Sequence, residues 1–117
     1  MRPTIQDPPV VELKTEEDWT RAIAAEGPVL VAFGASWCGP CRVMVPVLER
    51  LQALQAFSGA KSCRVHKVDV STLPKIAASL KVASVPTLVL FRAGAVVERH
   101  TGSATLAQLL AIVGRAI

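Results

Sequence analysis

The chain has 117 residues, of which 51% are hydrophobic and 19% charged, enough for one domain with its own core and unlike a disordered composition. Its apolar runs are too short to span a bilayer, and the opening stretch Met1 to Pro9 lacks the apolar segment of a secretory signal, so a soluble cytoplasmic protein is expected. The net charge of +4 divides into −3 over residues 1–18 and +7 over the remainder. The bases are scattered and aromatics few, which argues against nucleic acid and favours steering of acidic protein partners.

Residues 1–9 are proline-rich and read as a flexible segment ahead of one domain, 10–117. Val10 to Leu13 reads as a short strand. Thr15 then caps a helix with acids in its first turn, and Trp19, Ala22 and Ile23 line one face before Gly27-Pro28 ends it. Val29 to Phe33 is an unbroken apolar run, the pattern of a central strand buried on both faces. Val43, Val47, Leu48, Leu51 and Leu54 then recur at helical spacing, with Pro46 inside the pattern and expected to kink it, and Phe57-Ser58-Gly59 closing it. Cys63 to Val70 reads as a strand. A short helix follows to about Leu80, capped by Ser71 or Thr72, with Pro74 in its first turn. Leu88 to Phe91 and Ala95 to His100 form a hairpin around Ala93-Gly94. Thr105-Leu106-Ala107-Gln108 opens a last helix as a capping box, ending near Ile117. Alternation first and a hairpin later predicts an α/β domain: a single mixed sheet of four to five strands flanked by about four helices.

The chemistry-bearing stretch is Trp37-Cys38-Gly39-Pro40-Cys41, at the junction of the central strand and the helix after it. Open α/β sheets place their sites at such strand ends. Unpaired N–H groups and the positive dipole end of a helix favour a thiolate at its mouth. A second cysteine one turn on is within reach of a short-loop disulfide. The unit is that of disulfide exchange, an attacking thiol with a resolving thiol beside it. The competing reading is a metal site. Zinc sites usually need four Cys or His ligands, often as two spaced pairs, and this chain has three cysteines and two histidines with no second CxxC. The redox reading is preferred, with no metal.

Taken together, these residues resemble the thioredoxin family over about 10–117. The resemblance rests on Val29-Leu30-Val31, Trp37-Cys38-Gly39-Pro40-Cys41-Arg42, Pro46, Lys67-Val68-Asp69, Val85-Pro86-Thr87, Phe91 with Gly94, and Gly102, in that order and spacing. It implies a thioredoxin fold and a protein-disulfide reductase. Cys38 would attack the target disulfide and Cys41 would resolve the mixed disulfide. Pro86 would be cis and face the cysteines, leaving the Val85 backbone to pair with an extended substrate segment. Trp37, Gly39, Pro40, Val85, Pro86 and Gly102 would form the contact surface. No cofactor would be bound, electrons would come from a thioredoxin reductase, and the chain would act as a monomer on disulfide-containing proteins.

Two positions depart from the family pattern. Ala32 stands where the family usually has a buried aspartate regarded as general base towards the second cysteine, and Gly34 where an aromatic is common. Lys67, the usual neighbour of that aspartate, is retained. Two readings of Lys67 stand: a lysine without its carboxylate neighbour in a dry place has a lowered pKa and serves, itself or through a water, as base; or it snorkels to solvent and Cys41 deprotonates more slowly. The second is the plainer reading. Arg42 either favours a thiolate or is a solvated helix residue. Cys63 reads as a buried structural thiol, and His66 and His100 as without a catalytic role. Trp19 reads as helix packing. The function alternatives are a redox-sensitive binding module with little turnover, which Ala32 and Gly34 keep open, and an oxidase or isomerase of an oxidising compartment.

Overall fold

The computed structural model describes residues 9–55 and 62–116. In chain order it has β1 (Val11–Glu12), α1 (Glu16–Ile23), β2 (Pro28–Gly34), α2 (Gly39–Gln55), β3 (Arg64–Asp69), α3 (Pro74–Ser79), β4 (Thr87–Arg92), β5 (Ala95–Thr101) and α4 (Leu106–Arg115). The five strands form one mixed sheet in the order β1-β3-β2-β4-β5. β2 lies at the centre, parallel to β3 and antiparallel to β4, and its residues Val29, Leu30, Val31 and Phe33 are fully enclosed. The unbroken apolar run is thus explained by a strand covered on both faces.

The two faces carry separate cores. Leu30, Ala32, Val65, Leu88 and Leu90 point towards Met44, Leu48 and Leu51 of α2 and Leu109, Ile112 and Val113 of α4. On the other face Val29, Val31, Phe33, Val68, Val89 and Phe91 meet Trp19 of α1 and Ile76 and Ala77 of α3. Trp19 packs against both Phe33 and Phe91, with ring centroids 5.8 and 5.3 Å apart. It is a packing residue, as its helical position implies.

Local signals in the sequence account for several element ends. Thr15 Oγ1 accepts the Asp18 N–H at the start of α1. The Thr105–Gln108 capping box is complete, with 3.1 and 2.8 Å reciprocal bonds. Ala93 and Gly94, at φ 53° and 79°, make the tight hairpin turn in which both central residues need positive φ.

Some expectations are corrected. α3 starts after Leu73, which makes no side-chain cap, and not after Ser71 or Thr72. The Ser71 amide and hydroxyl are instead taken by the Asp69 carboxylate, at 2.8 and 2.5 Å, which fixes the turn one step earlier. The buried face of α2 is Met44, Leu48, Leu51 and Gln55, whereas Val43 is 73% exposed and Leu54 is also exposed. The helix runs through Pro46, whose missing N–H leaves the Arg42 carbonyl without its usual donor. The Phe57-Ser58-Gly59 helix end and residues 1–8 lie outside the described residues. Pro9 is described, and its carbonyl accepts a 3.1 Å bond from Gln52 Nε2.

Candidate active site

β2 ends at Gly34 and α2 begins at Gly39, so Cys38 occupies the N-cap of a 17-residue helix. Its carbonyl accepts the Arg42 N–H at 3.3 Å, and its sulfur accepts the Cys41 N–H at 3.2 Å. A side chain capping the third helical amide normally belongs to Ser, Thr or Asp. Here a sulfur does it, so one of the orphan helix amides is aimed at Cys38 Sγ. Gly39 and Pro40 complete the exposed first turn, and proline fits there because early helical N–H groups lack intrahelical partners.

Cys38 and Cys41 are joined as a disulfide, with Cα atoms 5.3 Å apart. Cys38 is 4% exposed, while Trp37 next to it is 74% exposed. The Val85–Pro86 peptide is cis, and the Val85 carbonyl oxygen lies 3.8 Å from Cys38 Sγ. Thr87 Oγ1 donates to the Ser84 carbonyl at 2.7 Å, closing the turn that presents Val85. Gly102 N–H donates to the Pro86 carbonyl at 2.8 Å, and Ala104 N–H meets Met44 Sδ at 3.3 Å, so the segment before α4 is tied to both Pro86 and α2. Cys38 Sγ therefore lies beside Val85, with Gly102 linked through Pro86 and Trp37, Gly39 and Pro40 adjacent along the chain.

Behind the disulfide, a pocket of about 210 Å³ is lined by Ala32, Gly34, Cys41, Arg42, Met44, Leu48, Lys67, Asp69, Pro86 and Glu12, among others. Ala32, Phe33 and Gly34 form its β2 wall. Register sets a row across three strands: Ala32 pairs with Lys67, and Lys67 pairs with Glu12. Lys67 thus has an acid as its register partner, although the two are not in ion-pair contact. Sequence reasoning did not assign Glu12 to this place, because the β1–β3 pairing joins residues 55 apart. Arg42 lines the same pocket and its Nη1 donates to the Ser36 carbonyl at 3.3 Å.

The remaining titratable candidates lie elsewhere. His66 points to the other face, with Nδ1 3.3 Å from the Val11 carbonyl, and burial holds its pKa below the usual value despite that carbonyl. Burial pushes the Cys63 thiol up to about 12, and its backbone N–H is held by the buried Gln55 Oε1 at 2.9 Å. His100 Nε2 is 3.0 Å from the Ser103 carbonyl. Among the described residues no group of three or more His, Cys, Asp and Glu is arranged to hold a metal ion. No helix among them is long and apolar enough to cross a membrane.

A cysteine pair at a helix N-terminus, at the carboxyl end of a central strand and facing a cis-proline, defines a thiol–disulfide oxidoreductase. The thioredoxin family model matches residues 10–115. Thioredoxin from Mycobacterium tuberculosis is 43% identical over 91 residues, covering 78% of this chain and 75% of that protein. A bifunctional thioredoxin reductase/thioredoxin from Mycobacterium leprae is 37% identical over 100 residues, 86% of this chain and 21% of that protein. A thioredoxin structure from Halobacterium salinarum superposes with a TM-score of 0.80 at 28% identity, covering 97% of this chain and 96% of the other. The chain belongs to the thioredoxin family, and its function is protein thiol–disulfide exchange through the Cys38–Cys41 pair.

Proposed function

We propose that Cys38 is the attacking thiol and Cys41 the resolving thiol of a protein-disulfide reductase formed by residues 10–117. One observation carries this assignment: Cys38 Sγ is the N-cap acceptor of α2, 3.2 Å from the Cys41 N–H. The helix end lowers the energy of a thiolate on Cys38, and among the described residues no equivalent donor is aimed at Cys41. In the reducing direction, the Cys38 thiolate attacks one sulfur of a target disulfide and the other target sulfur leaves as a thiolate. Cys41 loses its proton and attacks Cys38 Sγ, releasing the second target thiolate and closing the Cys38–Cys41 disulfide. Two electrons pass to the target.

The contact surface comprises Trp37, Gly39, Pro40, Val85, Pro86 and Gly102. Exposed Val43 joins it, four residues from Gly39 on the same face of α2. The Val85 carbonyl beside Cys38 supports strand-like pairing with an extended target segment. Lys67 and Arg42 both line the pocket at Cys41, which supports their action on thiol ionisation. Electrons are supplied by a thioredoxin reductase, a reading supported by the fused mycobacterial relative, and no cofactor is bound. The protein works as a cytoplasmic monomer. A Cys41→Ser variant tests the roles: it accumulates a covalent adduct with a disulfide-bearing protein, and Cys38→Ser does not. Adduct formation by Cys38→Ser instead would reverse the assignment.

A further inference from the structure

Resolution of the mixed disulfide requires the Cys41 thiol to lose a proton, because the thiolate is the nucleophile and a free cysteine titrates near pH ~8.5. Among the described residues, the groups around Cys41 do not include an adjacent base. Its β2 wall is Ala32, Phe33 and Gly34, none of which carries a proton acceptor in its side chain. The charged and titratable groups lining the pocket are Glu12 from β1, Lys67 and Asp69 from β3, and Arg42 from α2; β2 and the Pro86 turn supply none. Arg42 is a permanent cation. The Asp69 carboxylate is engaged by the Ser71 hydroxyl and amide, and these bonds hold it below its ordinary pKa, which makes it a weak proton acceptor.

Glu12 is the remaining carboxylate. It is half-buried, and it shares strand parity with Val10, whose side chain lies in the core on the α2 side of the sheet. Its backbone is two strands from Ala32, roughly 10 Å at the ordinary strand spacing, too far for a direct bond to Cys41. The pocket spans that interval. Its lining is mostly apolar, but its volume of about 210 Å³ has room for several waters, which the polar groups of Glu12, Ser36, Lys67 and Asp69 can hydrogen-bond.

We infer that Glu12 is the proton acceptor for the resolving step, taking the Cys41 proton through solvent in the pocket behind the disulfide. This rests on the assignment of Cys41 as resolving thiol. The balance is complete: the Cys41 proton passes to the Glu12 carboxylate, the Cys41 thiolate attacks Cys38 Sγ, the Cys38–target bond breaks, and the target leaves as a thiolate.

Stopped-flow reaction of the reduced protein with excess dithiobis(nitrobenzoate) separates the steps. The first nitrothiobenzoate release depends on reagent concentration and reports Cys38; the second is independent of it and reports resolution by Cys41. In Glu12→Gln the second release slows about tenfold below pH ~8, and its pH dependence moves up towards that of an unassisted thiol, while the first release is unchanged. Glu12→Asp keeps most of the rate, and Ala32→Asp added to Glu12→Gln restores it by placing an acid against Cys41. Ala32→Val, which fills the pocket with Glu12 intact, slows the second release as well, and it serves as the deciding variant if Glu12→Gln fails to fold. A second release in Glu12→Gln that overlays wild type across the pH range would overturn the inference, as would equal slowing of both releases, and so would an unaltered second release in Ala32→Val. Absence of any concentration-independent second release in wild type would instead remove the assignment of Cys41 itself.

Discussion

Gly34 and Cys41 are in close approach: a Cβ placed on Gly34 would lie 3.3 Å from both Cβ and Sγ of Cys41. The last residue of β2 carries no side chain, so the second cysteine packs directly over its backbone, and the same lack of a side chain forms part of the pocket wall.

This contact predicts an asymmetric effect of Gly34→Ala. In the disulfide form Cys41 is tied to Cys38 and cannot withdraw, whereas the free thiol can change rotamer. The added methyl overpacks the oxidised form, costing it about 1 kcal/mol more than the reduced form. Urea unfolding of the variant and wild type, each measured oxidised and reduced, reads this difference. Equal shifts in both forms would contradict it.

Cys63 predicts a loss of stability in alkali. Its thiol ordinarily titrates near 9.0 and is pushed to about 12 by burial. The folded state therefore holds a proton that the unfolded state releases. The associated stability is full below about pH 9 and is lost as pH rises towards about 12. Denaturation midpoints of the reduced protein should fall over that window, and Cys63→Ala should fall less. The same burial leaves Cys63 unlabelled by iodoacetamide in the folded protein at pH ~8, where reactivity follows the thiolate.

His66 predicts the opposite edge. Burial lowers its pKa below 6.5, so the fold favours the neutral ring. Stability is present above the unfolded value of 6.5 and declines as pH falls through the lower folded value. Urea midpoints compared above and below this window, for wild type and His66→Gln, isolate the contribution; the variant should show the shallower decline in acid.

What the sequence discloses about this fold is mainly local. The Cys38–Cys41 spacing, the Thr105–Gln108 capping box and the Ala93–Gly94 turn each depend on residues within four positions, and each is found as read. The enclosed run Val29–Phe33 identifies the central strand because both faces of β2 are covered. Non-local pairings were not legible. Glu12 reaches the pocket only through the β1–β3 register. Gln55, a polar residue at the end of α2, is buried, and its side-chain oxygen accepts the Cys63 amide eight positions later. Val43 and Leu54 fit helical periodicity yet face outwards: of the stripe read from the sequence Leu48 and Leu51 are buried, and Met44 and Gln55 take the places of the two exposed residues. Periodicity gives the spacing of a stripe, and the neighbouring sheet selects which of two adjacent stripes is covered. The α3 cap failed for a related reason: the Asp69 carboxylate competes for the Ser71 amide.

Reduction of protein disulfides through Cys38 and Cys41 is open to a simple assay. The most direct measurement is reduction of insulin by dithiothreitol, followed as turbidity, with catalytic amounts of wild type beside a folded Cys38→Ser variant. Wild type is expected to accelerate the reaction markedly and Cys38→Ser is not. Folded wild-type protein no faster than dithiothreitol alone would contradict it and leave a thioredoxin-fold binding module as the reading.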